Sequence, residues 1–434
     1  MVRVSDLSET LAGKKLLLLA GSDPHRKIVE AAHALGVYVI VADYLDPEDS
    51  PAKLVADESW LVDVFDVDEL ERRCREVGVQ GVLNFCSDAP QIPYQKLCAR
   101  LGMPCFGTAE QYAVLAEKRA FRAYCKEHGL NIVPSYTLEQ AKNGEAEYLV
   151  FVKPSMGRGS RGQTICNSPA EIDGAYATAQ DYSLDGEVVI EKYMGAYQDF
   201  GSSYFIIDSV PYLMKVGDRY LGSKETGMDR QQLMNVSPTT QIDAYLEKTD
   251  PRVRAFVAEL GIVFGALFLQ GFIVDGEVYY YDPGLRMPGS DFDVMIRNVT
   301  GFDSMTSAVM FALTGDVRSC VGDPRDAFRL AGGCGVILAI DVGPGKIGAI
   351  KGLDTLRADE RVHCISERHQ VGDVVRKTGD VGQRALELIA YLPSRDALGD
   401  FLDFAFGSVE ILDDKGEDMV ICRATYENGT VIVH

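Results

Sequence analysis

Short apolar runs alternate with amphipathic stretches over residues 14–106, and this alternation constrains the fold of the 434-residue chain more than any other feature. "KKLLLLAG" and "VYVIVADY" are predicted to be buried strands, and "PHRKIVEAAHALG" between them a helix that ends at Gly36. Continuously apolar strands that alternate with helices are typical of a parallel sheet covered on both faces. The first hundred residues are therefore predicted to form a parallel α/β layer.

Such a Rossmann-like layer raises the question of a dinucleotide site. Asp43 follows Gly21 at the offset where a ribose-binding acid would stand. The first turn, "AGSDPHR", has a single glycine where the dinucleotide fingerprint needs three. We therefore expect no NAD at this turn.

The pattern changes near residue 108, where a long helical stretch leads into strands joined by short turns. "LQGFIVDGEVYYYD" contains an Asp-Gly turn between two strand patterns, which is a strong hairpin signal. Gly-bounded apolar runs after about residue 320 suggest a smaller β-rich terminal domain. A chain of this length is expected to hold about two to four domains, of α/β and α+β type.

Bulk composition excludes several partners. The net charge of −21 argues against nucleic acid, since phosphate binding needs a positive field. No apolar run reaches the roughly 18–20 residues that span a bilayer, and we expect no membrane partner. Ten scattered cysteines without a CxxC pair, and no apolar leader at the N-terminus, predict reduced thiols in a cytoplasmic protein.

The stretch "KPSMGRGSRGQT" is a glycine-rich loop between two strand patterns. Its extended, β-branched continuation differs from the helix that a dinucleotide loop must open, and no Walker A sequence is present. A loop of this kind can fold over nucleotide phosphates with its backbone N–H groups, and Lys153 before it can reach phosphate oxygens. The alternative is a flexible hairpin with a solvated lysine. The predicted phosphate-binding residues are Lys153, Gly157, Gly159, Ser160, Arg161 and Gly162.

Two further stretches carry candidate chemistry. "EVVIEKYMG" places Glu191 at the end of a buried strand and before Tyr193 and Met194, which could provide an acid and apolar walls for an adenine ring. "YYYDPGLRMPGS" ends a strand on Asp282 and presents Arg286 four residues later. The alternatives are an exposed glutamate and an ordinary surface turn.

Taken in order, these motifs resemble the ATP-grasp superfamily, which includes biotin carboxylases, the carbamoyl-phosphate synthetase large subunit and bacterial L-amino-acid ligases. The resemblance covers about residues 14–316, and the tail is similar to the C-terminal domain of the amino-acid ligases. It implies a Rossmann-like domain (1–107), a lid subdomain with the glycine flap (108–190), a catalytic subdomain (191–319) and a C-terminal α+β domain (320–434).

The resemblance also implies roles for single residues. The first ATP lysine is Lys118 and the second Lys153. Asp199, or failing it Gln198, would hold the ribose. The segment that binds the adenine corresponds to Glu191, Lys192, Tyr193 and Met194.

The last two strands of the family carry oxygen ligands for Mg²⁺ or Mn²⁺, which here are Gln270 and Asp282. Arg286 takes the position of the arginine that stabilises the transferring phosphoryl group or the substrate carboxylate. Gly284 stands where the family has Asn, so one ligand is missing unless water, Asp291 or Asp293 replaces it.

The activity implied is an ATP-dependent ligase that activates a carboxylate as an acyl phosphate for attack by an amine. The alternatives are an ATP-binding protein without turnover and a carboxylase or kinase-like variant. Four of the charged residues in the segment "KVGDRYLGSKETG" are expected near the substrate mouth, and two of them, Asp218 and Lys224, are catalytic candidates beside Arg286. The other two are Lys215 and Arg219, and for all four the alternative is a surface charge that contacts no substrate. Small-molecule substrates and a homodimer are expected.

Overall fold

The computed structural model describes residues 10–155, 162–183, 186–229, 231–290 and 292–434. Its first layer is a parallel sheet in the strand order β3-β2-β1-β4, as the alternation of apolar runs predicted. The strands are β1 Lys15–Leu19, β2 Tyr38–Asp43, β3 Glu58–Leu61 and β4 Gly81–Leu83. The helices are α1 His25–His33, α2 Val67–Val77 and α3 Gln91–Leu101.

A second, antiparallel sheet follows in the order β5-β8-β6-β7. Its strands are β5 Ser135–Tyr136, β6 Val150–Pro154, β7 Thr164–Cys166 and β8 Val188–Lys192. Helices α4 Ala109–Leu115 and α5 Lys118–Glu127 precede these strands in the sequence. Helix α6 Leu138–Lys142 connects β5 to β6, and α7 Ile172–Asp181 connects β7 to β8. Thr108 and Gln111 form a capping box that fixes the start of α4.

The largest sheet begins with five antiparallel strands in the order β13-β12-β9-β10-β11. These strands are β9 Gln198–Ile207, β10 Val210–Leu221, β11 Gln232–Ser237, β12 Gly265–Val274 and β13 Glu277–Gly284. Helices α8 Ile242–Lys248, α9 Asp250–Leu260, α10 Phe292–Thr300 and α11 Ser304–Thr314 accompany them. Asp275 and Gly276 both have positive φ, which is the backbone that a tight hairpin between β12 and β13 requires.

Strands from the C-terminal region extend this sheet beyond β11 in the order β14-β18-β16, giving eight strands in all. The later strands are β14 Cys334–Asp341, β15 Gly345–Lys351, β16 Val362–Glu367, β17 Val374–Val375, β18 Arg384–Leu392, β19 Glu410–Asp413, β20 Ala424–Glu427 and β21 Thr430–Val433. The last helices are α12 Leu353–Ala358 and α13 Leu398–Ser408. The region after residue 320 thus shares a sheet with the strands before it.

One hydrophobic core joins the parallel layer to β9, β10 and β12. Separate cores lie in the C-terminal region and under the antiparallel sheet β5-β8-β6-β7. No helix in the described ranges is both long enough and apolar enough to cross a membrane. None of the ten cysteines forms a disulfide within the described chain.

Candidate functional site

A cleft of about 540 Å³ lies between the antiparallel sheet β5-β8-β6-β7 and the β9–β12–β13 end of the large sheet. Its size is that of a pocket for a small molecule or cofactor. Seven of the residues predicted from the sequence line it, and they come from both sheets. These are Lys153, Glu191, Lys192, Tyr193, Met194, Asp199 and Asp282.

One wall of the cleft is organised around the carboxylate of Glu191. Strands β6 and β8 pair antiparallel, and the Lys153 ammonium lies 2.8 Å from Glu191 Oε2. The other oxygen, Oε1, forms an ion pair with Arg122 from α5. Glu191 is buried, so two cations compensate a single buried negative charge. The wall therefore presents more positive than negative charge to a ligand.

Arg122 was missed in the sequence, although it lies four residues after Lys118 in the same helix. Residues at this spacing share a helix face, so the signal was available. Helix α5 begins at Lys118, whose side chain lies outside the described part of the structure. Gly157, Gly159, Ser160 and Arg161 also lie outside the described residues.

Gly162 closes the glycine loop with a φ of +71°. A Cβ at this position would lie 2.7 Å from the Cβ of Tyr182. Both the positive φ and the contact therefore require glycine here.

An apolar slot lies beside Tyr193 and Met194, as the adenine prediction required. The Tyr193 ring packs against Phe151, with 6.4 Å between the ring centroids, and Met194 is buried. The Lys192 ammonium donates to Glu147 at 2.5 Å, and this hydrogen bond raises the pKa of Lys192. The Lys192 side chain is thus engaged at the protein surface.

Asp199, the predicted ribose acid, lies at the start of β9 and lines the cleft. Its Oδ1 accepts from Arg219 Nη1 at 2.7 Å, and the same guanidinium nitrogen donates to the Tyr281 hydroxyl at 2.8 Å. Burial raises the pKa of Asp199, and the positive charge of Arg219 opposes that rise. The amide nitrogen of the alternative candidate, Gln198, donates to the backbone carbonyls of Asp199 and Arg219.

The predicted metal ligands, Gln270 and Asp282, are directly paired positions on β12 and β13. Side chains at paired positions of an antiparallel sheet lie on the same face about 5 Å apart. Two oxygen donors at that separation suit a hard cation that takes its other ligands from phosphate and water. Among the described residues, no group of three or more His, Cys, Asp or Glu side chains forms a metal site by itself.

Arg286 lies outside the cleft lining, at the boundary with the parallel layer. Its Nε and Nη2 donate to the two carboxylate oxygens of Asp88 at 2.5 and 3.0 Å. The guanidinium also lies over the ring of Phe268, 4.9 Å from its centroid. Burial opposes the charge of Arg286, but Asp88 outweighs it and the pKa of Arg286 is raised.

Gly284 supports this arrangement. A Cβ there would lie 3.2 Å from Arg286 Cγ and 3.3 Å from its Nε. An asparagine at this position would therefore press on the arginine.

The structure does not bring Asp218 and Lys224 to the cleft. Asp218 is fully buried and accepts from Thr239, from the Thr240 backbone N–H at 3.0 Å and from Arg395 Nη2 at 2.8 Å. Lys224 is exposed on the turn after β10. Asp218 joins the central strands to the C-terminal region.

Comparison with known proteins agrees with this geometry. Residues 117–247 match the family described as "Carbamoyl-phosphate synthase L chain, ATP binding domain". A formate-dependent phosphoribosylglycinamide formyltransferase of Psychromonas ingrahamii is 23% identical over 317 residues, which cover 66% of this chain and 75% of the relative.

Two solved structures are similar in fold. The L-amino acid ligase from Bacillus licheniformis superimposes with a TM-score of 0.75 at 17% identity, over 93% of this chain and 99% of the ligase. The phosphoribosylglycinamide synthetase from Anaerococcus prevotii gives a TM-score of 0.73 at 16% identity, over 93% and 100%. The matched ATP-binding domain and these similar folds confirm the resemblance to the ATP-grasp superfamily that the sequence predicted.

Proposed function

We propose that the chain is an ATP-dependent ligase that joins a carboxylate to an amine. A carboxylate oxygen attacks the γ-phosphorus of ATP, and ADP leaves. The amine nitrogen then attacks the acyl carbon, loses a proton and displaces inorganic phosphate. The reaction uses ATP and a divalent cation, Mg²⁺ or Mn²⁺, as the sequence predicted.

The nucleotide is held by the two walls of the cleft. Its base occupies the apolar slot beside Tyr193 and Met194, and its ribose lies toward Asp199. Lys153 and Arg122 face its phosphates, and Glu191 holds both cations in position. The glycine loop and Lys118 complete the phosphate contacts in this proposal.

The γ-phosphate end of the nucleotide lies near Gln270 and Asp282, which would hold the divalent cation. A divalent cation held there would neutralise negative charge on the phosphates. Arg286 has a rigid two-pronged donor set that fits an oxyanion, and Asp88 orients it until substrate competes for the guanidinium.

A single observation carries the proposal: Lys153 and Arg122 line one wall of the cleft, and Asp282, whose partner on β12 is Gln270, lines the other. The names of the relatives add support, since one is a formate-dependent formyltransferase and another an amino acid ligase. Both names refer to a compound with a carboxylate group, formate in the first and an amino acid in the second.

Bound ATP with Mg²⁺ should stabilise the protein by about 2.7 kcal/mol when its concentration is 100 times the Kd, because only the folded chain forms the site. The measurement is the melting temperature with and without the nucleotide, and NAD serves as the control that should have no effect. An unchanged melting temperature in millimolar ATP–Mg²⁺ would remove the nucleotide site from the account.

An ATP-binding protein without turnover is the second candidate. Two observations favour it, since Gly284 supplies no ligand and Arg286 is already paired with Asp88. An assay for ADP release across pairs of carboxylates (formate and the common amino acids) and amines separates the two. Release that depends on a carboxylate supports the ligase, and stabilisation by ATP–Mg²⁺ without release supports the second candidate.

The four-domain division at residues 107, 190 and 319 and the homodimer are also parts of this proposal. Light scattering on the purified chain measures its mass in solution and so tests the homodimer.

A further inference from the structure

Lys215 is a buried lysine whose charge no carboxylate of the described chain contacts. Within the described chain, its ammonium forms no hydrogen bond and no ion pair, and it lies over the ring of Phe292, 4.6 Å from the centroid. A buried cation without a partner is costly, which makes a ligand the natural explanation for its retention. The sequence had suggested a surface charge here.

The strand register places Lys215 relative to the proposed nucleotide. Lys215, Gly217 and Arg219 of β10 pair with Ser203, Gly201 and Asp199 of β9, so all six positions lie on the face that carries the cleft. The β12 partners of these β9 residues are Phe268, Gln270 and Phe272.

The sheet face therefore has three successive levels, each about 6.7 Å further along the strands. The ribose candidate Asp199 is on the first level, and the paired metal candidates Gln270 and Asp282 are on the second. Lys215 is on the third, together with Phe268, over which Arg286 lies. The third level is where a substrate beyond the γ-phosphate would lie.

The acidic neighbours of Lys215 have other hydrogen-bond partners, Glu387 in Arg384 and Asp293, at one oxygen, in Ser304. Glu387 of β18 accepts from Arg384 at 2.8 Å and lies 3.5 Å from Arg368. Asp293 of α10 accepts from the Ser304 hydroxyl at 2.8 Å. These acids moderate the charge of Lys215 without binding its ammonium.

We propose, on the basis of the ligase function above, that Lys215 binds the carboxylate that the enzyme activates. The carboxylate lies on the third level over Ser203 and Phe268, between the ammonium of Lys215 and the guanidinium of Arg286. The substrate class is a small carboxylate anion whose negative charge supplies the partner that Lys215 lacks.

The test is Lys215→Met in the full chain, with Lys351→Met as the control. Methionine keeps the length and apolar packing, and removing a buried unpaired charge should leave the fold as stable as the wild type or more so. With whichever carboxylate supports ADP release in the wild type, the KM for that carboxylate should rise about 10- to 100-fold while the KM for ATP stays unchanged. Lys351 is exposed and pairs with Glu410 on β19, so its loss should change neither constant.

The pH dependence separates binding from a structural role. Burial and, to a smaller extent, the charge of Arg219 lower the pKa of Lys215 to about 7, while Asp293 and Glu387 oppose the shift. The cationic form is lost as the pH rises through this value, so the carboxylate KM should rise above about pH 7. Lys215→Arg stays charged, and its carboxylate KM should not show this rise.

If the wild type releases no ADP, a binding measurement can still test the role of Lys215. Formate, glycine and L-glutamate are added with Mg²⁺ and a non-hydrolysable ATP analogue, and the melting temperature is recorded. At least one should stabilise the wild type, and none should stabilise Lys215→Met. Equal shifts in both proteins, no shift in the wild type, or an unchanged carboxylate KM in Lys215→Met would overturn the assignment. Absent ADP release with every carboxylate would contradict the ligase function instead.

Discussion

Asp282→Asn should lower turnover by at least about 100-fold, because an amide lacks the negative charge that holds a divalent cation near the phosphates. The side chain keeps its size, so the melting temperature without nucleotide should be unchanged. Excess Mg²⁺ should restore part of the activity. The measurement is kcat for ADP release as a function of the Mg²⁺ concentration.

Glu277→Gln is the matched control, since Glu277 lies on the same strand but outside the cleft, paired with Arg252. Its kcat and Mg²⁺ dependence should equal those of the wild type. Wild-type turnover in Asp282→Asn would mean that the end of β13 is an ordinary turn and not a metal site.

Asp218→Ala should destabilise the fold by roughly 3–5 kcal/mol, because it leaves Arg395 without its carboxylate partner and removes the acceptor of two further hydrogen bonds. The activity of the molecules that still fold should persist. Urea denaturation gives the free energy of unfolding, and ADP release per folded molecule gives the activity.

Asp414→Ala is the control for this substitution, since Asp414 is exposed on a turn and should change stability little. The opposite pattern, with stability kept and turnover lost in Asp218→Ala, would favour the catalytic role that the sequence suggested for Asp218.

The parts of the fold that were predictable rest on local signals. The parallel layer follows from continuous apolar runs such as Leu16–Leu19, and the β12–β13 hairpin from Asp275 and Gly276. Motif order also located Lys153, Glu191 and Asp282, since each lies within the last three residues of a strand that borders the cleft.

The face on which a charged residue lies was not predictable in "KVGDRY". Lys215 and Arg219 are on the cleft side, and Asp218 between them points to the opposite side. Alternation makes the two faces distinct, but only the pairing with β9 decides which one meets the nucleotide. The positions of the charges in the sequence did not reveal this pairing.

Contacts between distant parts of the chain were also beyond the sequence. Arg286 and Asp88 are 198 positions apart, and Asp218 and Arg395 are 177 positions apart. Neither acid carries a local signal for its partner. Such pairs follow from the packing of whole layers, which no motif spacing encodes.

The most direct test of carboxylate activation follows an oxygen atom. The carboxylate that supports ADP release is labelled with ¹⁸O in both oxygens, and the inorganic phosphate formed is analysed by mass spectrometry. Attack of the carboxylate on the γ-phosphorus transfers one of its oxygens to phosphate, so each phosphate released should carry one ¹⁸O. Unlabelled phosphate, formed at the same rate as ADP, would show that water attacks ATP and would contradict an acyl phosphate intermediate.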